Sequence, residues 1–307
     1  MEHDAGAETE RLQTTMHCGA ADDEGSLFFF GGQSGTEAQN ALSMFRTRSR
    51  QWQVLHHGEG TAPSPRLLSS MAVAQHKVFV FGGCGEGDVE MNDLWAFEPY
   101  AERWVCHSVD QALGSPPARA GHSIATVNEV LFVFGGSAAE EVFGDLWENQ
   151  VSSAVRSEWR LVQTVGRRPC ARTGHTCVVL GTRLFIFGGE SKSSDGEGRL
   201  ENDLWQFDVI LREWKCLSAA LPDVVTVIPE PRCGHCCCAI GSLLYVFGGS
   251  NILGDATGMS GADVWAFDVE QLEWALLLDH TSQMSSEEED SSTGTMALLP
   301  SPPGLCY

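Results

Sequence analysis

Residues 232–238 form the densest group of potential metal ligands in the sequence, Arg-Cys-Gly-His-Cys-Cys-Cys. Thiolate and imidazole groups bind zinc, but structural zinc sites usually draw two ligand pairs from separated parts of a chain. No second pair stands at such a distance. The aligned positions in another part of the sequence are Ser123 and Ala125. We therefore interpret the cysteines as small buried strand residues and predict no metal site.

Four arginines precede a glycine pair at one constant separation: Arg66, Arg119, Arg172 and Arg232. A ring of guanidinium groups in an acidic protein could clamp a carboxylate or an acidic peptide segment, because the planar arginine fork binds carboxylates through two hydrogen bonds. The alternative is structural, with each arginine paired to an acidic or backbone group of a neighbouring unit. The clamp hypothesis makes the four arginines candidate partner-binding residues.

A Gly-His pair follows three of these arginines, at His122, His175 and His235. Histidine is a common metal ligand and general base. These histidines recur in step with the arginines, which favours a shared structural role. We interpret them as buried scaffold residues.

The elements that must position these residues repeat along the chain. An apolar run rich in β-forming residues ends in Gly-Gly five times, and the spacing between successive pairs is nearly constant. A recurring period of about 50 residues indicates a repeat architecture. The glycine pairs are Gly31 and Gly32, Gly82 and Gly83, Gly135 and Gly136, Gly188 and Gly189, and Gly248 and Gly249.

Each repeat predicts four short strands, A to D. Strand A follows the Arg-x-Gly-His start, strand B ends in Gly-Gly, strand C holds Leu-Trp-x-Phe, and strand D holds a second tryptophan. So small a sheet cannot bury both faces alone, so the units must stack around an axis with aromatic side chains between them. The second tryptophans are Trp52, Trp104, Trp159, Trp214 and Trp274.

The Gly-Gly pairs, spaced tryptophans and Arg-x-Gly-His starts resemble the kelch repeat over residues 11–280. The Gly-His-Ser and Asn-Asp-Leu-Trp versions are similar to stand-alone kelch-domain proteins, among them the Rab effector with kelch motifs and kelch-type ubiquitin-ligase receptors. The resemblance implies an all-β kelch β-propeller of four-stranded blades. It implies no single function, because one fold carries many. The repeats span approximately 11–60, 61–114, 115–166, 167–228 and 229–280.

The number of blades is open at this point. Known kelch propellers mostly have six or seven blades, whereas five repeats can be counted here. The alternatives are a five-blade ring, a sixth blade assembled from degenerate termini, and a shortened gene model. Residues 1–10 form an acidic segment, and residues 281–307 are interpreted as an acidic, disordered tail containing Ser and Pro. The tail has one strand-like run, Thr295–Leu299, so a full sixth blade within it is not expected.

In an antiparallel blade, the A–B and C–D loops emerge on one face and the B–C and D–A loops on the other. The B–C loops are longest in repeats 4 and 5, and the longest D–A link lies between these repeats. Length variation on a rigid scaffold is typical of a working surface. We therefore predict that a partner protein, in a narrower version a short peptide segment, binds on the B–C/D–A face. The candidate loop residues are Glu190, Asp195, Asn251 and Asp255.

Two enzyme classes on related propellers supply the alternative function, a metal-dependent enzyme. A copper oxidase of the galactose oxidase type needs clustered tyrosines and histidines, and the three tyrosines of this chain form no suggestive cluster. The iron-dependent specifier proteins resemble this fold and carry Glu-x-x-x-Asp-x-x-x-His. The nearest string here is Glu141, Asp145 and Asn149, which lacks the histidine. We predict a non-enzymatic scaffold or adaptor without catalytic residues or cofactors.

The overall charge limits the possible partners. The formal net charge is −22, from 41 acidic residues against 19 Lys and Arg. Such a surface repels nucleic-acid phosphates and anionic lipid, so we expect a protein partner with basic patches and no nucleic acid. No apolar run is long enough to insert into a membrane, and no signal peptide is evident. The expected location is the cytoplasm, with the nucleus as an alternative; the oligomeric state is not indicated.

Overall fold

The fold is an all-β propeller built from four-stranded antiparallel sheets, as the repeats predict. Within each sheet the chain runs from strand A to strand D in order, and each strand pairs with the next. A computed structural model describes residues 15–56, 58, 60–109, 114–150, 156–193, 195–218, 227–253 and 263–278.

The described residues contain five blades. Blade 1 comprises β1 (Cys18–Ala21), β2 (Ser26–Phe30), β3 (Gln33–Ser34), β4 (Glu37–Ala38), β5 (Leu42–Arg46) and β6 (Gln51–His56). Blade 2 comprises β7 (Ser70–Ala74), β8 (Lys77–Cys84), β9 (Glu90–Glu98) and β10 (Arg103–Val109). Blade 3 comprises β11 (Ser123–Val127), β12 (Val130–Phe134), β13 (Ser137–Ala138), β14 (Glu141–Val142), β15 (Leu146–Gln150) and β17 (Trp159–Leu161), and the short strand β16 (Arg156–Ser157) precedes β17 in the chain.

Blade 4 comprises β18 (Arg172–Thr173), β19 (Thr176–Leu180), β20 (Arg183–Phe187), β21 (Glu190–Lys192), β22 (Gly198–Leu200), β23 (Leu204–Asp208) and β24 (Glu213–Cys216). Blade 5 comprises β25 (Cys236–Ile240), β26 (Leu243–Phe247), β27 (Val264–Asp268) and β28 (Glu273–Leu278). The short strand β16 pairs in parallel with β10 and so extends the sheet of blade 2.

Strand B is apolar at successive positions because both of its faces pack on a neighbouring blade. In β12, Leu131 and Val133 lie in the core shared with blade 2, whereas Phe132 and Phe134 lie in the core shared with blade 4. Alternating side chains point to opposite faces of a strand, so one short run supplies both cores.

The glycine pair at the end of strand B is required by the backbone. Gly135 and Gly136 have φ values of 66° and 93°, a region that L side chains rarely adopt. A Cβ atom on Gly136 would also lie 2.8 Å from the Ala120 carbonyl oxygen. The missing side chain of Gly136 therefore lets the start of strand A of the same repeat pass close to the end of strand B.

In the described part of the chain, four hydrophobic cores join successive blades, between blades 1 and 2, 2 and 3, 3 and 4, and 4 and 5. In each of them a strand-D tryptophan covers the last phenylalanine of the preceding blade's strand B, as Trp159 covers Phe81 with ring centroids 5.1 Å apart. The predicted role of the second tryptophans between blades holds for Trp104, Trp159, Trp214 and Trp274. Trp52 differs, since it lies on the outer face of blade 1 and is 45% exposed.

Among the described residues, no hydrophobic core joins blade 5 to blade 1. That pattern differs from the one expected of a closed ring of five blades. It also differs from the expectation for the cysteine cluster: Cys236 and Cys238 are exposed, because no blade in the described part of the chain packs on the outer face of blade 5. Residues 1–10 and 281–307 lie outside the described part of the chain, so the boundaries of the two terminal segments remain predictions.

Candidate partner-binding face

The four repeating arginines are buried in blades 2 to 5, at the end of the blade where the B–C loop emerges. Arg119 has no exposed surface, and its guanidinium group donates to both carboxylate oxygens of Asp145 at 2.7 and 2.9 Å. It also donates to the carbonyls of Gly135 at 2.9 Å and Pro117 at 3.0 Å. The other three make the same set of bonds, each to the aspartate of its own strand C. These pairs are Arg66–Asp93, Arg172–Asp203 and Arg232–Asp263.

The tryptophan of strand C completes this cluster. The indole nitrogen of Trp147 donates to Asp145 at 2.6 Å. Burial works to raise the pKa of the Asp145 carboxyl, but the hydrogen bonds and positive charge of Arg119, together with the indole, outweigh it and hold the pKa below its ordinary value. The carboxylate is therefore ionised and fully engaged at neutral pH.

This geometry corrects the clamp hypothesis for Arg66, Arg119, Arg172 and Arg232. Their guanidinium groups already hold a carboxylate, so they present no open fork to a ligand. The structural alternative describes them better, with one difference. The acidic partner belongs to the same repeat, and only the arginine backbone reaches the preceding blade, as when Gly136 N–H donates to the Arg172 carbonyl at 2.8 Å.

The B–C loops above these clusters are built as small hairpins. In blade 3, β13 pairs with β14, and in blade 4, β21 pairs with both β22 and β18. The strands of each hairpin satisfy each other's backbone hydrogen bonds. The long loop of repeat 4 therefore extends the blade with an ordered surface.

Side chains tie the loops of neighbouring blades together. Glu90 of blade 2 accepts from the Ala139 amide of blade 3 at 2.9 Å. Lys192 of blade 4 donates to the Glu140 carbonyl of blade 3 at 2.7 Å. A Cβ built on Gly198 would lie 3.5 Å from the Leu253 side chain, so the hairpin of blade 4 also contacts the loop of blade 5. The B–C loops of blades 2 to 5 thus form one connected surface.

This surface combines acidic and apolar exposed side chains. Ile252 and Leu253 in the blade 5 loop and Val227 in the preceding D–A link are exposed apolar residues. Exposed acids stand in the loops of several blades, among them Glu86 and Glu197. Two depressions open on the same face, about 550 Å³ between blades 1 and 2 and about 530 Å³ between blades 3 and 4.

The described candidate loop residues of repeats 4 and 5, which are Glu190, Asp195 and Asn251, lie on one side of this face. Glu190 is half-buried in β21 beside Gly198. Asp195 is exposed at the hairpin tip and accepts the Ser193 hydroxyl, which lowers the pKa of its carboxyl. Asn251 is exposed in the blade 5 loop, and Asp255 lies outside the described residues. Their role in partner binding remains a prediction.

A third depression, on the opposite face, was not anticipated from the sequence. It measures about 410 Å³ and is lined by the acidic A–B turn of repeat 1, by apolar residues of blades 1 and 2 and by Tyr100, which is 90% exposed. The sequence signal was the turn around Asp23, which displaces His17 by one residue from the register of the other repeats. This cavity is the alternative candidate for partner binding, beside the B–C/D–A face.

The described residues hold no cluster of three or more His, Cys, Asp or Glu side chains arranged to bind a metal ion. In the string that is nearest to an iron motif, Asp145 is engaged by Arg119, and Asn149 is buried in β15. None of the described secondary structure is a helix of the length and apolarity needed to cross a bilayer.

Comparison with protein families gives a match to the KLHDC2/KLHL20/DRC7 Kelch-repeats domain over residues 7–189 and 150–297. A Rho GTPase-activating protein, gacHH, from Dictyostelium discoideum is 37% identical over 142 residues, which cover 45% of this chain and 9% of that protein.

Two further relatives match over most of the chain. Host cell factor from Drosophila melanogaster is 29% identical over 255 residues, covering 73% of this chain and 16% of the relative. Kelch domain-containing protein 3 from Rattus norvegicus is 26% identical over 244 residues, covering 76% of this chain and 60% of the relative. The matched region is therefore less than two thirds of each of these proteins.

Proposed function

Since the chain belongs to the kelch-repeat family, we propose that it is a non-enzymatic scaffold or adaptor that binds a partner protein on its B–C/D–A face. Kelch-repeat relatives such as host cell factor and Kelch domain-containing protein 3 suggest a protein-interaction function. The observation that carries the choice of face is the connected surface of B–C loops, which varies between repeats while the blades beneath it stay alike.

The chemistry of the face defines the partner. Glu86 and Glu197 present negative charge, and Ile252 and Leu253 present apolar surface. Opposite charges steer association and fix register, whereas buried apolar anchors supply most of the affinity. The partner segment is therefore basic, with at least one large apolar side chain. Because the four repeating arginines are engaged, they offer no open guanidinium fork to an acidic segment.

Affinity capture from a cell extract tests the face with charge-matched variants. Glu86→Lys with Glu197→Lys reverses two exposed charges on the B–C/D–A face. Glu213→Lys with Glu270→Lys makes the same change on the opposite face and is the control. We expect the first variant to lose a partner that wild type and the control retain. Ile252→Ser with Leu253→Ser should lose the same partner at any salt concentration, because it removes the apolar anchor.

Thermal unfolding followed by circular dichroism must show that each variant is folded before its partner capture is compared with that of wild type. The proposal fails if the partner is retained by both face variants and lost by Asp23→Lys with Tyr100→Ala, since that result assigns binding to the cavity of the opposite face. Elemental analysis tests the enzyme alternative: iron, copper or zinc in stoichiometric amount in the purified protein would contradict a non-enzymatic role.

A further inference from the structure

The outer face of blade 5 exposes positions that the preceding blades bury or half-bury. The last phenylalanine of strand B is at most 2% exposed in blades 1 to 4, but Phe247 is 42% exposed. In β25, Cys237 and Ala239 pack toward blade 4, so Cys236, Cys238 and Ile240 point outward. This apolar face has the same construction as the faces that receive the next blade elsewhere in the molecule.

The backbone leaves an open slot at the same place. A Cβ built on Gly188 would lie 2.7 Å from the carbonyl oxygen of Arg232, at the start of the next strand A, whereas no atom of the described residues lies within 4 Å of a Cβ built on Gly248. The amide of Gly234 donates to Gly174 of the preceding blade at 2.8 Å. A following strand would continue this ladder by donating to Gly234.

The tail of the chain carries a sequence that fits the slot. Ser292 follows Trp274 at the same separation that places Arg232 after Trp214. The run Thr-Gly-Thr-Met-Ala-Leu-Leu at 293–299 then aligns with Thr-Gly-His-Thr-Cys-Val-Val at 173–179. The second match to the family model reaches residue 297, which lies inside this run.

The alignment assigns a direction to each side chain. Val179 packs toward the preceding blade and Val178 toward the following one. In the same register, Leu299 would face blade 5 and Leu298 would face away. Thr295 would take the place of Ser69, whose hydroxyl lies 3.4 Å from the Cys18 sulfur of the preceding blade; here the opposing residue is Cys236.

We propose that the outer face of blade 5 binds residues 293–299 of the same chain as the innermost strand of a further blade. The occupant is identified by spacing, by its match to strand A and by the length of the link from β28. The link from Leu278 to residue 292 is nearly as long as the one from Cys216 to Arg232, which joins blades 4 and 5.

Alkylation of native protein with N-ethylmaleimide, followed by mass spectrometry, tests this assignment. Cys236 and Cys238 should react about tenfold more slowly in the full chain than in a chain ending at Ser292, because a docked strand must open before the thiols are reached. The exposed thiol of Cys106 in blade 2 is the internal control and should react equally in both.

Two neighbouring substitutions test the register. Leu299→Asp should raise the reactivity of Cys236 and Cys238 to that of the truncated chain, whereas Leu298→Asp should leave them protected. Equal reactivity in the full and truncated chains would refute docking. Protection that survives truncation and grows with protein concentration would assign the face to a second copy of the chain and would also overturn the proposal.

Discussion

The ion pair between Arg119 and Asp145 gives the most direct test of the role of the repeating arginines. Replacing Arg119 with alanine removes two hydrogen bonds to the Asp145 carboxylate and one each to the carbonyls of Gly135 and Pro117. It also removes the guanidinium group that lies 4.3 Å from the Phe143 ring centroid. Every lost contact is inside the blade, so the expected effect is on folding.

The size of the effect follows from burial. Breaking a buried ion pair by removing one partner costs about 3–5 kcal/mol, since the remaining charge is left without compensation. The Asp145 side chain keeps 23% of its surface exposed, so water solvates it in part and the lower end of that range applies. A loss of about 3 kcal/mol lowers the melting temperature by about 6–12 °C in a domain of this size.

Thermal unfolding followed by circular dichroism measures the loss. Arg103→Ala is the matched control, because Arg103 pairs with Glu98 at 2.9 Å but is 66% exposed. That exposed pair contributes below about 1 kcal/mol. If Arg119→Ala has the same melting temperature as the control Arg103→Ala, Arg119 is not a structural residue. Retained stability together with loss of a specific partner would restore the clamp hypothesis.

Two further outcomes test the packing of the blades. Burial lowers the pKa of His122 and His235 to about 3 and that of His175 well below 6.5. Below pH 6.5 the unfolded chain therefore binds more protons than the folded one, and the free energy of unfolding decreases as the pH is lowered. Each histidine contributes at most about 1.4 kcal/mol per pH unit, and an equal urea midpoint at pH 7.5 and 5.5 would contradict this. Trp159→Ala should cost about 3–5 kcal/mol and the half-exposed Trp52→Ala about 1 kcal/mol in urea unfolding. Equal losses would refute the interblade role.

The four-stranded blade could be predicted from the sequence because the residues that form it lie close together in the chain. The apolar run Val130–Phe134 and the glycines after it lie within one repeat, and pairing of adjacent strands needs only short turns. The partner of each arginine is also encoded locally, because the aspartate stands at one aligned position of the repeat. Repeats 2 to 5 carry an Asp before the Leu-Trp or Val-Trp pair of strand C, whereas repeat 1 has Ala41 there and also lacks the arginine.

The exposure of the outer face of blade 5 could not be predicted from the sequence in the same way. Whether Cys236 and Cys238 are buried depends on what packs against the outer face of blade 5, so their alignment with small buried residues did not predict their exposure in the described structure. The contact between the blade 4 hairpin and Leu253 is likewise set by the positions of two blades. Local spacing predicts a strand, but only the assembled propeller decides which strand faces have neighbours.

The buried cluster explains how the loops can vary without disturbing the blades. Arg119 and Asp145 are 26 residues apart, Arg172 and Asp203 are 31 residues apart, and both pairs close at nearly the same distance, 2.7 and 2.6 Å. The arginine holds the start of strand A, the end of strand B through the Gly188 carbonyl and the start of strand C together. The B–C loop therefore leaves and returns at fixed points, and its extra residues add only to the exposed face. The arginine and aspartate that recur in blades 2 to 5 secure the frame, so under the proposed function we expect the chemistry that distinguishes one partner from another to lie in the loops between them.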